Sequence, residues 1–165
     1  MSIVKPVNSH SKTPLYPAIN VHSRVELINS FLDPAWVVVD FGCGDAYLSK
    51  LRAPGITYNV DRVAATTEPV TVCDLEQEIP DLQGDCAVCS GLLEWLDDPI
   101  AFLGSLSKKF PLVYFSYATT KGDKRWQYKC TIEEIVVAAL IRFNCKLSLE
   151  AWQNQIIFFL ERRKP

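Results

Sequence analysis

A glycine-rich turn and an acidic residue downstream of it carry the clearest chemistry in the sequence. The turn covers residues 40–45, reads DFGCGD and follows an apolar run. Its two glycines allow positive φ angles and a close approach of the backbone to a ligand. Asp61 stands 17 positions after Gly44, near the spacing of about 20 residues at which an acidic side chain accepts hydrogen bonds from ribose hydroxyls. The combination predicts a site for a ligand that contains a nucleoside.

Two more apolar runs end in candidate site residues. Asp74 and Leu75 follow the third run, and Ser90 and Gly91 follow the fourth. In open α/β sheets, ligands bind beyond the carboxyl ends of the strands, where the order of the strands reverses. These strand ends therefore belong to one predicted site. A dinucleotide is disfavoured, because Tyr47 stands where close packing of the helix requires glycine or alanine.

Seven apolar runs predict the strands that must position these residues. We predict them at residues 36–40, 56–60, 70–73, 85–89, 112–117, 144–150 and 155–161. Alternating strands and helices indicate an α/β sandwich around a mostly parallel sheet, and the last two strands indicate an antiparallel hairpin. Only about nine residues separate Asp61 from the third strand, whereas a parallel crossover normally takes about a dozen. Either a loop makes this crossing or the third strand is misplaced.

The predicted helices have recognisable starts. Ser23 and Glu26 form the pattern of a capping box, which places the start of the first helix at Ser23. A short helix covers about residues 45–52. Asp98 followed by Pro99 is the favoured order for an N-cap and a first helical residue. Thr131 begins a second capping-box pattern, with Glu134 three residues later. Residues 1–21, which include three prolines, predict an extended N-terminal arm, and residues 22–165 predict a single domain.

Composition excludes several classes of protein. The chain has 165 residues, of which 48% are apolar and 22% charged, as in ordinary globular domains. The net charge of −2 argues against general binding to nucleic acid, and no apolar run approaches the roughly 18 residues of a membrane span. The N-terminus lacks the apolar core of a signal peptide. Six cysteines without a chelating set indicate free thiols in the cytoplasm and no bound metal.

Four segments resemble the motifs of class I S-adenosylmethionine-dependent methyltransferases of the small bacterial type. They are VVVDFGCGDAYLSKL, YNVD, VCDLEQEIP and DCAVCSGLLEWLDDPIAFL, and the resemblance covers about residues 22–117. Ala46 departs from the family, which usually has glycine there. The resemblance implies a Rossmann-like three-layer α/β sandwich with reduced helices around strands 2 and 3, and S-adenosylmethionine as the cofactor.

The resemblance also implies roles for individual residues. The backbone of residues 42–44 would face the methionine part of the cofactor, and Asp40 would steady the turn and the cofactor's amino group. Asp61 would accept hydrogen bonds from both ribose hydroxyls. Ser90 and Gly91 would lie under the sulfonium, and Asp74 and Leu75 would hold the adenine. The implied cofactor-binding set is Asp40, Gly42, Cys43, Gly44, Asp61, Asp74, Leu75, Ser90 and Gly91.

The function implied is methyl transfer to a small-molecule oxygen or nitrogen acceptor, with a sugar or a natural product as examples. Transfer from a sulfonium needs positioning above all, so no catalytic group is assigned; the candidates are His22 and Tyr117, each with a structural role as the alternative. Glu94 faces either the pocket or a helix. The candidate acceptor contacts are Tyr16, His22, Tyr117, Lys124 and Trp126. A cofactor-binding regulatory module without transfer activity is the alternative function, and a homodimer is an open expectation.

Overall fold

A seven-stranded sheet forms the centre of the computed structural model, which describes residues 18–118, 129–151 and 155–163. Its order is β3-β2-β1-β4-β5-β7-β6. β1 to β5 are parallel, and β7 is antiparallel to both of its neighbours. This confirms the mostly parallel sheet with an antiparallel C-terminal pair. The strands are β1 Val38–Phe41, β2 Thr57–Asp61, β3 Val70–Val72, β4 Cys86–Cys89, β5 Leu112–Ala118, β6 Phe143–Ala151 and β7 Gln155–Arg162.

Helices cover both faces of this sheet. They are α1 Ala18–Asn29, α2 Tyr47–Arg52, α3 Pro99–Lys109 and α4 Ile132–Arg142, with a short 3₁₀ helix at Leu93–Trp95. Two of the predicted starts are confirmed. Asp98 Oδ1 accepts a hydrogen bond from Ala101 N–H at 2.8 Å, and Thr131 forms a complete capping box with Glu134. No helix within the described ranges is long and apolar enough to span a bilayer.

The predicted start of the first helix at Ser23 is wrong. α1 begins at Ala18, so Ser23 lies in its second turn and residues 18–21 of the expected arm are helical. Glu26 also lies inside this helix, and its Oε1 accepts a hydrogen bond from the Tyr47 hydroxyl at 2.7 Å. Residues 1–17 of the expected arm lie outside the described residues.

Two apolar cores lie on the two faces of the sheet, as a three-layer sandwich requires. One contains Leu103 of α3 and Ile135 of α4, and the other contains Ile28 of α1 and Leu48 of α2. Successive strand residues alternate between these cores. Cys86 and Cys89 accordingly lie in opposite cores, and no group of metal-binding side chains exists among the described residues.

A loop without a helix makes the crossing from β2 to β3. Asn59 pairs with Val70 in parallel register, so the third strand is correctly placed and the reduced helical cover is confirmed. Asn59 Nδ2 donates a hydrogen bond to the Pro69 carbonyl at 3.0 Å, which ties the end of the loop to β2. The missing cover leaves Val72 of β3 63% exposed.

Candidate functional site

The glycine turn lies at the centre of the carboxyl edge of the sheet, because β1 is between β2 and β4. Gly42 and Gly44 both have positive φ, at 71° and 56°. The N–H groups of Gly42 and Cys43 donate to the Val60 carbonyl at 2.8 and 3.2 Å, which holds the turn against β2. A Cβ on Gly44 would meet no atom within 4 Å, so this side of the turn is open to a ligand.

Asp61 is fixed beside this open space. Its Oδ2 accepts a hydrogen bond from Gly44 N–H at 2.9 Å, and its Oδ1 accepts one from Val63 N–H at 3.3 Å. An ionised carboxylate offers about four acceptor positions, so further donors such as ribose hydroxyls can be accommodated. The structure therefore brings together Asp61 and the glycine turn, as the sequence predicts.

Asp40 is buried behind the turn and has an unusual ionisation. Burial, followed by the nearby charges of Asp61 and Asp45, raises the pKa of the Asp40 carboxyl to about 8. Desolvation and like charges both disfavour the ionised form of an acid. The charges of Asp61 and Asp45 also stabilise a cation that enters the site and destabilise an anion. The site is therefore electrostatically suited to a cationic ligand.

Ala46, which stands where the resembled motif usually has glycine, adopts a backbone conformation that favours glycine. Its φ is 56°, in the left-handed region, and its methyl group is buried. The turn is closed by a hydrogen bond from Ala46 N–H to the Cys43 carbonyl at 2.9 Å. This conformation costs an L-residue roughly 1 to 2 kcal/mol, and alanine is small enough to adopt it without changing the turn.

Asp74 and Leu75 lie at the same edge, after β3. The Asp61 carbonyl accepts a hydrogen bond from Cys73 N–H at 2.9 Å, which continues the pairing of the two strand ends. Asp74 is exposed, and its Oδ1 accepts a hydrogen bond from Glu76 N–H at 3.1 Å. Leu75 is partly buried against the core beneath α3. Both residues therefore lie at the edge beyond Asp61 where the resemblance predicts the adenine, and this role stays a prediction.

The turn at Ser90 and Gly91 follows β4, on the other side of the switch point between β1 and β4. Gly91 has a φ of 71°, and its N–H donates to Ser116 Oγ at 2.9 Å. Arg24 of α1 donates from Nε to Ser90 Oγ at 2.7 Å. The sequence reasoning missed Arg24, Ser116 and Gln155; the available signal was a polar serine in the apolar run of β5.

Glu94 is neither in the open pocket nor bound to a helix partner. It is 2% exposed, and its Oε1 accepts a hydrogen bond from Ala118 N–H at 2.9 Å. Its Oε2 is buried and has no hydrogen-bond partner among the described residues. Burial raises the pKa of the Glu94 carboxyl to about 7, and the charge of Arg24 works in the opposite direction. Glu94 thus carries an ionisable group in the interior, next to the end of β5.

The two candidates for acid–base catalysis are in different surroundings. His22 stacks on Tyr47 with ring centroids 3.8 Å apart, and its Nε2 lies 3.2 Å from Asp45 Oδ2 beside the glycine turn. Tyr117 is fully buried, its hydroxyl donates to the Cys130 carbonyl at 2.6 Å, and burial raises its pKa. The remaining predicted acceptor contacts, Tyr16, Lys124 and Trp126, lie outside the described residues.

Solved methyltransferases share this fold. Magnesium protoporphyrin IX methyltransferase from Synechocystis PCC 6803, with bound SAM, is 18% identical and superposes with a TM-score of 0.69, covering 88% of this chain and 81% of that one. The N-methyltransferase NodS from Bradyrhizobium japonicum WM9, in complex with SAH, is 14% identical, with a TM-score of 0.67 over 87% of this chain and 86% of that one.

A third neighbour has a substrate in place. The Burkholderia thailandensis 1,6-didemethyltoxoflavin-N1-methyltransferase, with bound 1,6-didemethyltoxoflavin and SAH, is 15% identical, with a TM-score of 0.66 over 88% of this chain and 79% of that one. No protein-family model and no curated protein sequence matches the chain. The comparisons therefore define the fold, which is the Rossmann-like fold of class I methyltransferases.

Proposed function

We propose that the chain is an S-adenosylmethionine-dependent methyltransferase that acts on a small-molecule oxygen or nitrogen acceptor. The observation that carries this proposal is the meeting of Asp61 with the open side of Gly44, where the carboxylate is already held by the Gly44 N–H at 2.9 Å. A carboxylate fixed at the edge of an open glycine turn provides acceptors for a ribose diol and backbone for the rest of the cofactor.

The charge of the site favours this cofactor over a dinucleotide. S-adenosylmethionine carries a sulfonium and an ammonium group, whereas NAD carries an anionic pyrophosphate. The raised pKa of Asp40, to about 8, reflects burial together with Asp61 and Asp45. The charges of Asp61 and Asp45, which contribute to this shift, attract the two cations and repel the pyrophosphate. The solved neighbours that contain SAM or SAH support the same choice.

The residues present fit the cofactor in a consistent order along the edge. The backbone of residues 42–44 would contact the methionine part, and Asp40 would hold its ammonium group. Asp61 would accept both ribose hydroxyls. Beyond it, Asp74 would accept the adenine amino group while Leu75 covers the ring. Ser90 and Gly91 would then lie under the sulfonium, across the switch point from the glycine turn.

The bound cofactor would supply an electrophilic methyl group on a sulfonium with a neutral thioether as leaving group. The acceptor's lone pair would displace the thioether, which would leave with the electron pair of the carbon–sulfur bond. The protein has to hold the acceptor in line with the methyl group and exclude water. An acceptor that carries a proton has to release it, and a base such as His22 would accept that proton.

For the methyl acceptor we propose only a class, a small molecule. Neighbours that act on protoporphyrin and on a toxoflavin precursor support this class, and sugars and other natural products belong to it. Tyr16, Lys124 and Trp126 are proposed as further acceptor contacts, together with His22 and Tyr117. The cytoplasmic location, the homodimer and the absence of nucleic-acid binding also stay predictions.

Calorimetric titration with S-adenosylmethionine, S-adenosylhomocysteine and NAD tests the proposal. We expect both adenosyl ligands to bind and NAD to bind at least a hundredfold more weakly, and binding of NAD alone would overturn the proposal. Incubation with methyl-labelled cofactor and a panel of hydroxyl and amine acceptors then tests transfer. Cofactor binding without transfer to any acceptor would favour the alternative, a cofactor-binding regulatory module.

A further inference from the structure

The turn at Ser90 and Gly91 is held by polar groups from two other elements, and a residue of a third element binds one of those groups. Arg24 of α1 donates from Nε to Ser90 Oγ at 2.7 Å and from Nη2 to the Ser90 carbonyl at 3.4 Å. The same guanidinium donates from Nη1 to Gln155 Oε1 of β7 at 2.6 Å. Ser116 of β5 accepts the hydrogen bond from Gly91 N–H at 2.9 Å. These contacts join segments that are distant in sequence on a single turn.

The polar partners are buried in positions that the fold alone does not require to be polar. Ser116 is fully buried within β5, and Gln155 is buried at the start of β7. Burying an amide or hydroxyl costs free energy unless it is hydrogen-bonded, at roughly 1 to 3 kcal/mol in proteins. Both groups meet this condition through the Ser90–Gly91 turn and Arg24. The sheet therefore carries buried polar groups whose partners are this turn and the arginine that holds it.

Arg24 also limits what can stand at Gly91. A Cβ at Gly91 would lie 2.5 Å from Arg24 Nη2 and 3.1 Å from its Cζ. The positive φ of 71° would strain any other residue as well. The guanidinium thus packs directly on the backbone of the turn, and the absence of a side chain at Gly91 is what allows that contact.

We propose that Arg24 is a positioning residue for methyl transfer, acting on the sulfonium edge of the cofactor through Ser90 and Gly91. This inference rests on the proposed function, in which these two residues lie under the sulfonium. The fork of a guanidinium supplies donors in fixed directions, which a lysine ammonium does not. Misplacing a reacting group by about 1 Å can cost on the order of a hundredfold in rate, so a rigid hold on this turn matters.

Arg142 provides a matched control. It is also a half-buried arginine that packs on a glycine, since a Cβ at Gly104 would lie 3.2 Å from its Nε, and it donates to the Ala138 carbonyl at 3.0 Å. Gly104 belongs to α3 and Ala138 to α4, so these contacts lie away from the carboxyl edge of the sheet. Arg142→Met therefore removes a comparable packing contact without touching the predicted site.

The test compares Arg24→Lys, Arg24→Met and Arg142→Met by calorimetry with S-adenosylmethionine and by amide hydrogen exchange. We expect both Arg24 variants to bind at least tenfold more weakly and to speed exchange of the Gly91 amide at least tenfold. Arg142→Met should change neither the affinity for S-adenosylmethionine nor the exchange rate of the Gly91 amide. Similar melting temperatures for the three variants would show that the difference does not come from global stability. Binding by the Arg24 variants equal to that of Arg142→Met would overturn the proposal.

A second ligand separates positioning from direct contact. Decarboxylated S-adenosylmethionine keeps the sulfonium and the amine but lacks the carboxylate. If Arg24 acts through the turn, the Arg24 variants lose the same factor with both ligands; a loss confined to the carboxylated ligand would show direct contact and overturn the proposal. Failure of the unaltered protein to bind S-adenosylmethionine would instead refute the proposed function, which is a different outcome from normal binding by the Arg24 variants.

Discussion

The two sides of the predicted cofactor site carry charges of opposite sign. The first side, which we call the acidic rim, consists of residues 40–46 and Asp61. The second, the arginine rim, consists of residues 90–94, the Arg24 and Ser116 side chains that bind Ser90 and Gly91, and Gln155, which binds Arg24. Carboxylates gather on the acidic rim, where the pKa of Asp40 rises to about 8. On the arginine rim, the guanidinium of Arg24 donates short hydrogen bonds to Ser90 and Gln155.

This difference separates binding from positioning. A cationic ligand offsets the repulsion between neighbouring carboxylates, so the acidic rim is suited to strengthen binding of the cofactor. A guanidinium already engaged by the protein has less to offer a ligand but fixes the backbone beneath it. We therefore expect substitutions on the acidic rim to change cofactor affinity and its pH dependence most, and substitutions on the arginine rim to lower affinity less, through the geometry of the turn at Ser90 and Gly91.

Asp61→Asn should have the largest effect. Asparagine can still accept the hydrogen bond from Gly44 N–H but loses the charge that strengthens hydrogen bonds from the ribose hydroxyls, which are worth roughly 1.5 to 3 kcal/mol each when the acceptor is ionised. We expect affinity for S-adenosylmethionine to fall about a hundredfold in calorimetric titration.

Asp85→Asn is the matched control for this variant. Asp85 also bridges to a neighbouring segment, because its Oδ2 accepts a hydrogen bond from Val37 N–H at 2.8 Å, but it precedes β4 and so lies at the amino edge of the sheet. Its substitution should leave cofactor affinity unchanged. Equal affinities for the Asp61→Asn variant and the unaltered protein would remove Asp61 from the site.

Asp40→Asn should abolish a change of about tenfold in the affinity for S-adenosylmethionine between pH 6 and pH 8. In the free protein the carboxyl is largely protonated below its pKa of about 8. A bound cation favours the ionised form, so affinity for S-adenosylmethionine should tighten between pH 6 and pH 8 and a proton should be released on binding. Calorimetry in buffers of different ionisation enthalpy measures that proton, and it should be absent in the variant.

Stability gives an independent reading of the same group. Folding raises the pKa of the Asp40 carboxyl from its ordinary value of 3.8 to about 8, so the folded state binds the proton more tightly and loses stability as pH rises between these values. Asp40→Asn should flatten this fall.

A ligand without a cation provides the control for the binding measurement. 5′-Methylthioadenosine should bind with the same affinity at pH 6 and pH 8. Identical pH profiles of S-adenosylmethionine affinity for the Asp40→Asn variant and the unaltered protein would contradict the assignment.

Sequence reasoning succeeded best where a feature depends on neighbouring residues. The acidic rim follows from two glycines and from aspartates at strand ends, and the starts of α3 and α4 follow from caps. The arginine rim could not be predicted in this way, because Arg24 and Gln155 are 131 positions apart. Their contact depends on β7 lying beside β5, which no local pattern specifies. The error at Ser23 arises because a capping-box pattern can also stand inside a helix, and α1 begins earlier, at Ala18.

Glu94→Gln should give the smallest effect and sharpen the contrast from the side of the arginine rim. Burial raises the pKa of this carboxyl from 4.5 to about 7, so the folded state holds a proton that the unfolded state releases, and stability falls as pH rises from about 4.5 to about 7. Glutamine keeps an acceptor for Ala118 N–H and remains uncharged.

Between pH 5 and pH 8 the variant should gain about 1 kcal/mol of stability relative to the unaltered protein. The cost of its buried amide N–H₂ is the same at both pH values and cancels from this comparison. The difference in melting temperature between the two proteins should therefore shift by about 2 to 4 °C in favour of the variant. Asp97→Asn, which alters an exposed carboxylate paired with Lys129 at 3.3 Å, serves as the control without a pH-dependent gain. A stability difference that stays the same from pH 5 to pH 8 would mean that the ionised form of Glu94 is stabilised by a partner, and the arginine rim would then bind charge as the acidic rim does.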